Sequence, residues 1–365
     1  MEIPKELSDI SLQISEPEYR QRPELSYSTL SRYESLGFNG LDHLFDKLDT
    51  PSLTHGSIVD TLLTGGMDEF NDLYTVLDIN ISDSGVDICK KLSSLYGSWH
   101  HTFQEIPEYI VSQVAKELDF WKADKWDKRR YQEVLKTGNV AEYYSALVNN
   151  DKKLISTQEY NDALACVRAL KTSPATQGLF ADNDEMSPVR RYYQLKFAAK
   201  FEGVGYRGMM DLVIVNYEDK VIYPYDLKTC SCPEWEFMSN FVKFHYYTQG
   251  RLYWRLLKAN LMADEYFKDF KLENFKFIVI NKKTLTPLVW EFPLTQSKGT
   301  LIDKYGNEHR DPFEIGKELQ GYLNLRPRVP NGIDIDGVNT IDCLKLKEEV
   351  QKDSLDSILD APWRQ

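Results

Sequence analysis

The chain has 365 residues, of which 42% are hydrophobic and 27% are charged, and its 44 Lys and Arg against 56 Asp and Glu give a net charge of −12. This composition excludes a disordered, collagen-like or membrane-spanning protein. The length predicts about two domains, or one large domain with insertions. The acidic total disfavours a protein that coats polyanions, but it is compatible with a nuclease whose basic residues are concentrated in one cleft.

The cysteines and the N-terminal segment predict the compartment. Five cysteines, at positions 89, 166, 230, 232 and 343, show no paired disulfide framework, which favours a reducing environment. Residues 1–22 carry charges throughout and lack the apolar centre of a signal peptide. No run approaches the roughly 18 apolar residues that span a bilayer. We therefore expect a cytoplasmic protein without membrane contact.

The first half of the chain has helical hydrophobic spacing. Helices are predicted over residues 52–64, 103–121 and 157–173. The third has the clearest boundaries, because Ser156 is a suitable N-cap, Glu159 lies in the first turn and Pro174 stops the helix. We therefore assign residues 1–185 to a mostly helical N-terminal part.

The spacing changes to that of strands after residue 186. Strands are predicted over 190–201, 206–217 and 221–230, separated by short turns that are typical of an antiparallel meander. A helix over 234–260 and strands over 275–280 and 288–292 follow. This βββαββ pattern in residues 186–294 predicts an α/β (α+β) fold with a mixed sheet flanked by helices. Residues 295–365 form a C-terminal extension, with helices predicted near 313–325 and 344–359.

The predicted sheet and helix form a net-basic stretch. Residues 186–258 contain 11 Lys and Arg against 7 Asp and Glu, or +4, within an acidic chain. A polyanion is expected to bind where positive charge is concentrated.

Three polar residues lie at the ends of apolar strands. Asp211 precedes the apolar run of the second strand, whereas Asp226 and Lys228 end that of the third. Residues two apart in a strand share a face, so Asp226 and Lys228 project together. The turn at 218–220 makes the two strands neighbours, which brings Asp211 beside Asp226. Two converging carboxylates make a hard oxygen site for Mg²⁺ or Mn²⁺, and a lysine beside them can stabilise charge or help deprotonate a water.

A polar stripe runs along the predicted helix that follows. Gln249 and Tyr253 are four residues apart and share one face, with His245 one turn earlier. Two interpretations remain open: a buried hydrogen-bonding stripe, or a face directed at the Asp–Asp–Lys cluster.

The ordered set resembles a known family. Asp211, then the Asp-x-Lys of Asp226 and Lys228, then the Gln-x-x-x-Tyr of Gln249 and Tyr253 resemble the PD-(D/E)XK nuclease superfamily. The closest likeness within it is to the RecB/RecE-type, phage lambda exonuclease-like enzymes. The resemblance covers roughly residues 26–70 and 155–294.

The N-terminal half adds two motifs to the resemblance. Residues 27–31 (Tyr-Ser-Thr-Leu-Ser) are similar to a family motif near the start of the domain, which implies DNA contacts by Ser28 and Ser31. Residues 55–60 (His-Gly-Ser-Ile-Val-Asp) resemble the Gly-Ser-x-x-His helix, except that Asp60 stands where the family has its histidine ligand. A further departure is Pro224, which removes a hydrogen-bond donor from the active strand and predicts an edge strand or a bulge.

The resemblance implies metal-assisted hydrolysis of phosphodiester bonds. Asp211 and Asp226 would hold Mg²⁺ or Mn²⁺, with Asp60 as a third carboxylate, while Lys228 positions or activates the attacking water.

The resemblance also assigns roles on the long helix. Gln249 and Tyr253 would orient the site or contact nucleic acid, and His245 would join them. Arg251 and Arg255, four residues apart, are predicted phosphate contacts, with a pair of surface charges as the alternative.

Three functional hypotheses remain open. The first is a metal-dependent DNA exonuclease in recombination or end processing, encoded by a phage or mobile element and acting in the host cytoplasm. The second is a structure-specific or nicking endonuclease on the same fold, and the third is a catalytically silent nucleic-acid-binding or assembly module. The resemblance further implies DNA as partner, a single-strand annealing protein in some members, and a homo-oligomer in others.

Overall fold

The computed structural model describes residues 5–46, 50–121 and 127–325. The helix predicted over 344–359 lies outside the described residues. The described chain is a mixed α/β structure, as the strand and helix patterns predict. Its helices are α1 (Glu16–Gln21), α2 (Tyr27–Leu36), α3 (Pro51–Thr64), α4 (Gly66–Leu73), α5 (Asp83–Tyr96), α6 (Glu108–Glu117), α7 (Asp127–Leu135), α8 (Val140–Val148), α9 (Thr157–Thr172), α10 (Phe237–Lys243), α11 (Tyr246–Met262) and α12 (Pro312–Leu325).

In the described residues, ten strands form one large sheet and two small ones. They are β1 (Tyr74–Leu77), β2 (Lys153–Ser156), β3 (Val189–Phe201), β4 (Val204–Asn216), β5 (Val221–Thr229), β6 (Lys271–Leu272), β7 (Lys276–Ile280), β8 (Leu288–Glu291), β9 (Leu301–Ile302) and β10 (Glu308–His309). The large sheet has the order β3-β4-β5-β7-β8, with β6 paired to β5. Strands β3, β4 and β5 are antiparallel neighbours, whereas β5 and β7 are parallel. The predicted meander is therefore confirmed.

The large sheet separates two apolar layers. Alternating residues of β4 face opposite sides, as the period of two in a strand requires. Val213 and Val215 pack in the cluster that contains α11, while Leu212 and Ile214 pack in the cluster that contains α3 and α9. The sheet thus holds α11 on one face and α3 on the other, and both helices carry predicted site residues.

The ends of the predicted helices follow their capping residues. Helix α9 starts with a capping box, in which Ser156 accepts from the Glu159 backbone N–H and Glu159 accepts from Ser156. Helix α6 is shorter than predicted, because Phe103–Glu105 is a separate short turn and Pro107 precedes the helix. Helices α5, α6 and α8 pack around an apolar cluster of their own, centred on Ile88, and form a helical unit between α4 and α9.

The prediction that Pro224 marks an edge strand or bulge was wrong. Strand β5 is interior, and Pro224 pairs in register with Val213 of β4. On its other side, β5 pairs with β6 only at Val221 and Ile222, and with β7 only from Tyr225 onward. Pro224 lies in the gap between these two short ladders, so its missing N–H costs no hydrogen bond there.

The single helix predicted over 234–260 is two helices. Helix α10 ends at Lys243 and α11 begins at Tyr246, because His245 adopts a left-handed conformation with φ of 55°. His245 therefore does not lie on the helical face of Gln249, and that part of the predicted stripe is corrected.

None of the helices in the described residues has both the length and the apolar character that a membrane span requires.

Candidate active site

Asp211 and Asp226 meet where β4 and β5 separate. The ladder between the strands ends with Leu212 opposite Tyr225, so Asp211 and Asp226 are the next residues on each strand. Asp211 Oδ2 accepts a hydrogen bond of 2.8 Å from the Leu227 backbone N–H, which fixes the carboxylate across the strands. Asp226 is almost fully buried, with 2% of its surface exposed. The structure thus brings together the two carboxylates that the strand pattern placed side by side.

Lys228 shares the face of Asp226. Its Nζ lies 2.6 Å from Asp226 Oδ2 and 4.7 Å from the centre of the Tyr246 ring. Burial acts to lower the pKa of Lys228, but Asp226 and the nearby phenols outweigh it and raise the pKa above its ordinary value. Lys228 therefore keeps its proton and its positive charge. Of the two roles predicted for this lysine, stabilising negative charge is favoured over deprotonating a water.

Gln249 links α11 to this pair. Its Nε2 donates to Asp226 Oδ1 at 2.6 Å, and its side chain is buried. Gln249 Oε1 and Asp226 Oδ2 have no hydrogen-bond partner within the described chain, although Asp226 Oδ2 has its ion-pair contact with Lys228. Gln249 Oε1 is thus a buried acceptor oxygen without a donor, next to the Asp226–Lys228 pair. Such an atom is costly unless something else satisfies it.

Tyr253 lies one turn after Gln249 and packs on the sheet. Glycine at position 208 makes this possible, because a Cβ there would lie 2.8 Å from Tyr253 Cδ1. Burial, followed by the charges of Tyr19 and Asp226, raises the pKa of Tyr253 well above its ordinary value. The phenol is therefore neutral, and it belongs to the buried surroundings of the carboxylates.

Asp60 reaches the same region from α3. The helix lies close to the end of β5, since a Cβ at Gly56 would be 3.2 Å from Thr229 Oγ1. Asp60 and Asp211 line one small cavity. Both oxygens of Asp60 accept from Gln194 Nε2, at 2.9 and 2.8 Å. Asp60 is thus directed toward Asp211.

The three carboxylates act on one another electrostatically. Burial raises the pKa of Asp60 to about 7, with the Gln194 hydrogen bond opposing and the Asp226 charge adding to the shift. Burial, Asp226 and Asp60 together raise the pKa of Asp211 well above its ordinary range. Like charges in a low-dielectric site repel, so this cluster has a high affinity for protons or cations.

The side chains are nevertheless not arranged as ligands of a single ion. Among the residues that the structure describes, no three His, Cys, Asp or Glu side chains converge as a metal-binding group. Each carboxylate is held instead by a donor of the protein: Gln194 for Asp60, the Leu227 N–H for Asp211, and Lys228 and Gln249 for Asp226. The donor set is still all oxygen and all anionic, and this chemistry fits Mg²⁺ or Mn²⁺.

The motif at residues 27–31 forms the start of α2 beside Lys228. The Tyr27 hydroxyl donates to the Phe244 carbonyl at 2.5 Å, and its pKa is raised by burial despite the nearby Lys228 charge. Ser31 is half-buried, whereas Ser28 is exposed and lies 3.2 Å from Ser26 Oγ. The motif therefore reaches the site through Tyr27, and Ser28 is the more exposed of the two serines.

The predicted phosphate contacts are engaged elsewhere. Arg251 is 0% exposed, and its Nη2 donates to Asp311 Oδ2 at 2.6 Å and to the backbone carbonyls of Ser297 and Gly299. Arg255 also contacts Asp311 and the Ser297 carbonyl. This placement contradicts a phosphate contact by Arg251, because the guanidinium has no exposed surface. Both arginines instead hold the 297–311 segment against α11.

The prediction for His245 is corrected in the same way. Its Nδ1 lies 2.6 Å from the Tyr247 hydroxyl and its Nε2 lies 3.2 Å from Ser35 Oγ. The Tyr247 hydroxyl also lies 3.2 Å from His309 Nδ1. The imidazole is thus part of a polar cluster at the start of α11, and it makes no contact with Asp226 or Lys228.

Several other cations of the basic stretch are also bound internally. Arg207 is buried and donates to the carbonyls of Tyr19 and Glu24, while Arg190 donates to the carbonyls of Asp184 and Ser187. The net charge of +4 therefore overstates the positive surface that faces solvent.

The sequence pattern missed Gln194. This residue lies on β3 opposite Asp211, at a position where the β3–β4 pairing is interrupted, and its backbone has a φ of 53°. The left-handed conformation is uncommon for a residue with a side chain, and such residues are often found at functional sites. The sequence shows only a neutral amide between the aromatic Tyr193 and the apolar Leu195.

Comparisons with known proteins find one weak structural likeness. No family model matches the chain. No curated protein matches it significantly. Among solved structures, a crystal structure from Eubacterium rectale whose description reads "putative exonuclease" is similar, with 12% identity, a TM-score of 0.38, and coverage of 86% of this chain and 84% of that chain. A likeness of this size carries no argument about activity, which must come from the site itself.

Proposed function

We propose that the chain is a divalent-metal-dependent DNA exonuclease of the PD-(D/E)XK, RecB/RecE type. The observation that carries the proposal is the convergence of Asp211, Asp226 and Lys228 where β4 and β5 separate, with Gln249 from α11 bonded to Asp226. These residue types occur in the order of the family pattern, and the fold joins them although they come from two strands and a helix.

The metal fits the site on two grounds. Three carboxylates share a buried region in which two of them, Asp60 and Asp211, have raised pKa values, and beside them Gln249 Oε1 is a buried acceptor without a hydrogen-bond donor in the described chain. Asp60, Asp211 and Asp226 would hold Mg²⁺ or Mn²⁺. When bound, such an ion supplies a Lewis acid for the phosphoryl oxygens and lowers the pKa of an attacking water.

The remaining residues have roles that follow from their contacts. Lys228 keeps its proton, so it stabilises the negative charge that develops on the scissile phosphate. Gln249 fixes the orientation of the Asp226 carboxylate through its 2.6 Å hydrogen bond. Tyr253 excludes water behind Gln249, and Gln194 orients Asp60. By the same resemblance, we propose a role in recombination or end processing and a phage or mobile-element origin, with a single-strand annealing protein and a second copy of the chain as candidate partners.

Degradation of linear and circular DNA with Mg²⁺ or Mn²⁺ tests this function. We expect linear duplex to be degraded and covalently closed circles to survive, with no activity in EDTA or in a D226N variant. Cleavage of circles would indicate the endonuclease alternative. DNA binding without cleavage of either substrate would indicate the silent binding module.

A further inference from the structure

An exposed aromatic residue lies at the edge of the candidate site. Phe244 follows α10, and 42% of its surface is exposed. The next residue, His245, has the left-handed conformation that separates α10 from α11. A non-glycine residue in this conformation is a local cost that persists only where the surrounding structure requires it. The interruption therefore places Phe244 in a connection between the helices, and not on a continuous helix.

Phe244 is joined to Lys228 by a short series of contacts. The Tyr246 ring lies 4.7 Å from Lys228 Nζ, and the centroids of the Tyr246 and Phe244 rings are 5.8 Å apart. On the other side, the Tyr27 hydroxyl donates to the Phe244 carbonyl at 2.5 Å and ties this connection to α2. The Phe244 ring is thus separated by one aromatic ring, that of Tyr246, from the residue that would act on the scissile phosphate.

The surroundings of Phe244 combine apolar and cationic groups. The exposed ammonium of Lys243 lies 5.3 Å from the Phe244 ring. Trp235 and Met238, on the same segment, are 56% and 55% exposed. Nucleobases offer a flat π-face for stacking, and the adjoining phosphates offer negative charge to a lysine. This pairing of an exposed ring and a cation matches the end of a DNA strand better than it matches an apolar protein surface.

We propose that Phe244 stacks on an unpaired terminal base of the DNA, while Lys243 contacts an adjoining phosphate. The inference rests on the proposed nuclease function and adds a binding site for the strand end. A base held on Phe244 would bring a phosphate near the end of the strand toward Lys228. The site thereby predicts a preference for DNA ends that fray over ends that stay paired.

Fluorescence of 2-aminopurine at the terminal position of a duplex tests the proposal without any turnover. Stacking on an aromatic ring quenches this base, so binding in EDTA or with Ca²⁺ should quench the probe with wild-type protein. We expect F244A to lose the quenching and to weaken binding about tenfold, the size of one base–aromatic stack. F244L should also lose the quenching, because it keeps apolar bulk without a π-face, whereas F244W should retain it.

Y109A is the matched control, because Tyr109 is 69% exposed but lies on α6 in the separate helical unit. It should bind and quench like wild type, and thermal unfolding of each variant confirms that it is folded. Wild-type quenching and affinity in both F244A and F244L would overturn the site alone. Wild-type protein that binds no DNA would reject the proposed function and this site with it.

Discussion

Replacing Asp60 by asparagine should stabilise the metal-free protein at alkaline pH. The carboxyl pKa is raised from 3.8 to about 7 in the folded chain, chiefly by burial. A folded pKa above the unfolded one means that the folded state binds the proton more tightly. The stability associated with this group is therefore complete below pH 3.8 and is lost as pH rises through about 7.

The size of the effect follows from the same shift. At about 1.4 kcal/mol per pKa unit, an ionised Asp60 lowers the free energy of unfolding at pH 8 by at most about 4 kcal/mol. Asparagine carries no charge, and its Oδ1 can still accept from Gln194 Nε2. We therefore expect D60N to gain about 2–4 kcal/mol at pH 8 in EDTA, and about half of that at pH 5.5.

Thermal unfolding in EDTA at the two pH values measures this gain. D72N is the control, because Asp72 is exposed on the neighbouring α4 and its replacement should leave the midpoint unchanged. Saturating Mn²⁺ should reverse the order of stability, since it stabilises the wild-type site by binding only the folded state. A D60N variant that is no more stable than wild type at pH 8 would refute the inference that Asp60 is ionised against burial in this cluster.

The other predictions concern the neighbours of Asp226 and the arginine pair. K228A should abolish cleavage while DNA and metal still bind, as gel shift and calorimetric titration would show; near-wild-type turnover would remove β5 from the site. Q249A should lower kcat by about tenfold or more with a smaller loss of stability than the about 1–3 kcal/mol expected for a purely structural buried amide, a contrast resolved by comparing activity per folded molecule with the melting temperature. Q194A should weaken Mn²⁺ affinity in calorimetry, and Q194N, which cannot reach as far, should do the same; unchanged affinity in both would make Gln194 structural. R251A should cost about 3 kcal/mol of stability or less, because it removes the fully buried arginine from Asp311 and from the Ser297 and Gly299 carbonyls while Arg255 still pairs with Asp311, and a loss of DNA affinity without a loss of stability would restore the phosphate-contact hypothesis.

The strand-borne part of the site could be predicted because its determinants are local. The period of two places Asp226 and Lys228 on one face, and the short turn at 218–220 fixes which residue of β4 lies opposite. Gln249 is positioned by a helix that begins only three residues earlier, so the error about where that helix starts did not move it. The cluster of Asp211, Asp226 and Lys228 thus depends on few contacts between residues that are distant in the sequence.

The remaining parts depend on tertiary contacts that no local pattern contains. No proline or glycine lies beside His245, so the sequence gives no sign that the helix is interrupted there. The neighbouring carbonyl of Phe244 accepts a hydrogen bond from Tyr27, which lies 217 residues earlier in the chain. Arg251 was assigned to DNA because its partner, Asp311, lies 60 residues later. Gln194 acquires its importance from a left-handed backbone and from the approach of α3, neither of which can be seen in the sequence.

The most direct test of the account is the location of Mn²⁺ in crystals of the wild-type protein, identified by its anomalous scattering. We predict a peak within ligand distance of the carboxylates of Asp60, Asp211 and Asp226, with Gln194 still bonded to Asp60. A peak bound by Asp211 and Asp226 with Asp60 beyond ligand distance would contradict the role of Asp60. No peak at these carboxylates, in crystals of protein that cleaves DNA with Mn²⁺, would contradict the central claim that they form one metal-dependent hydrolytic site.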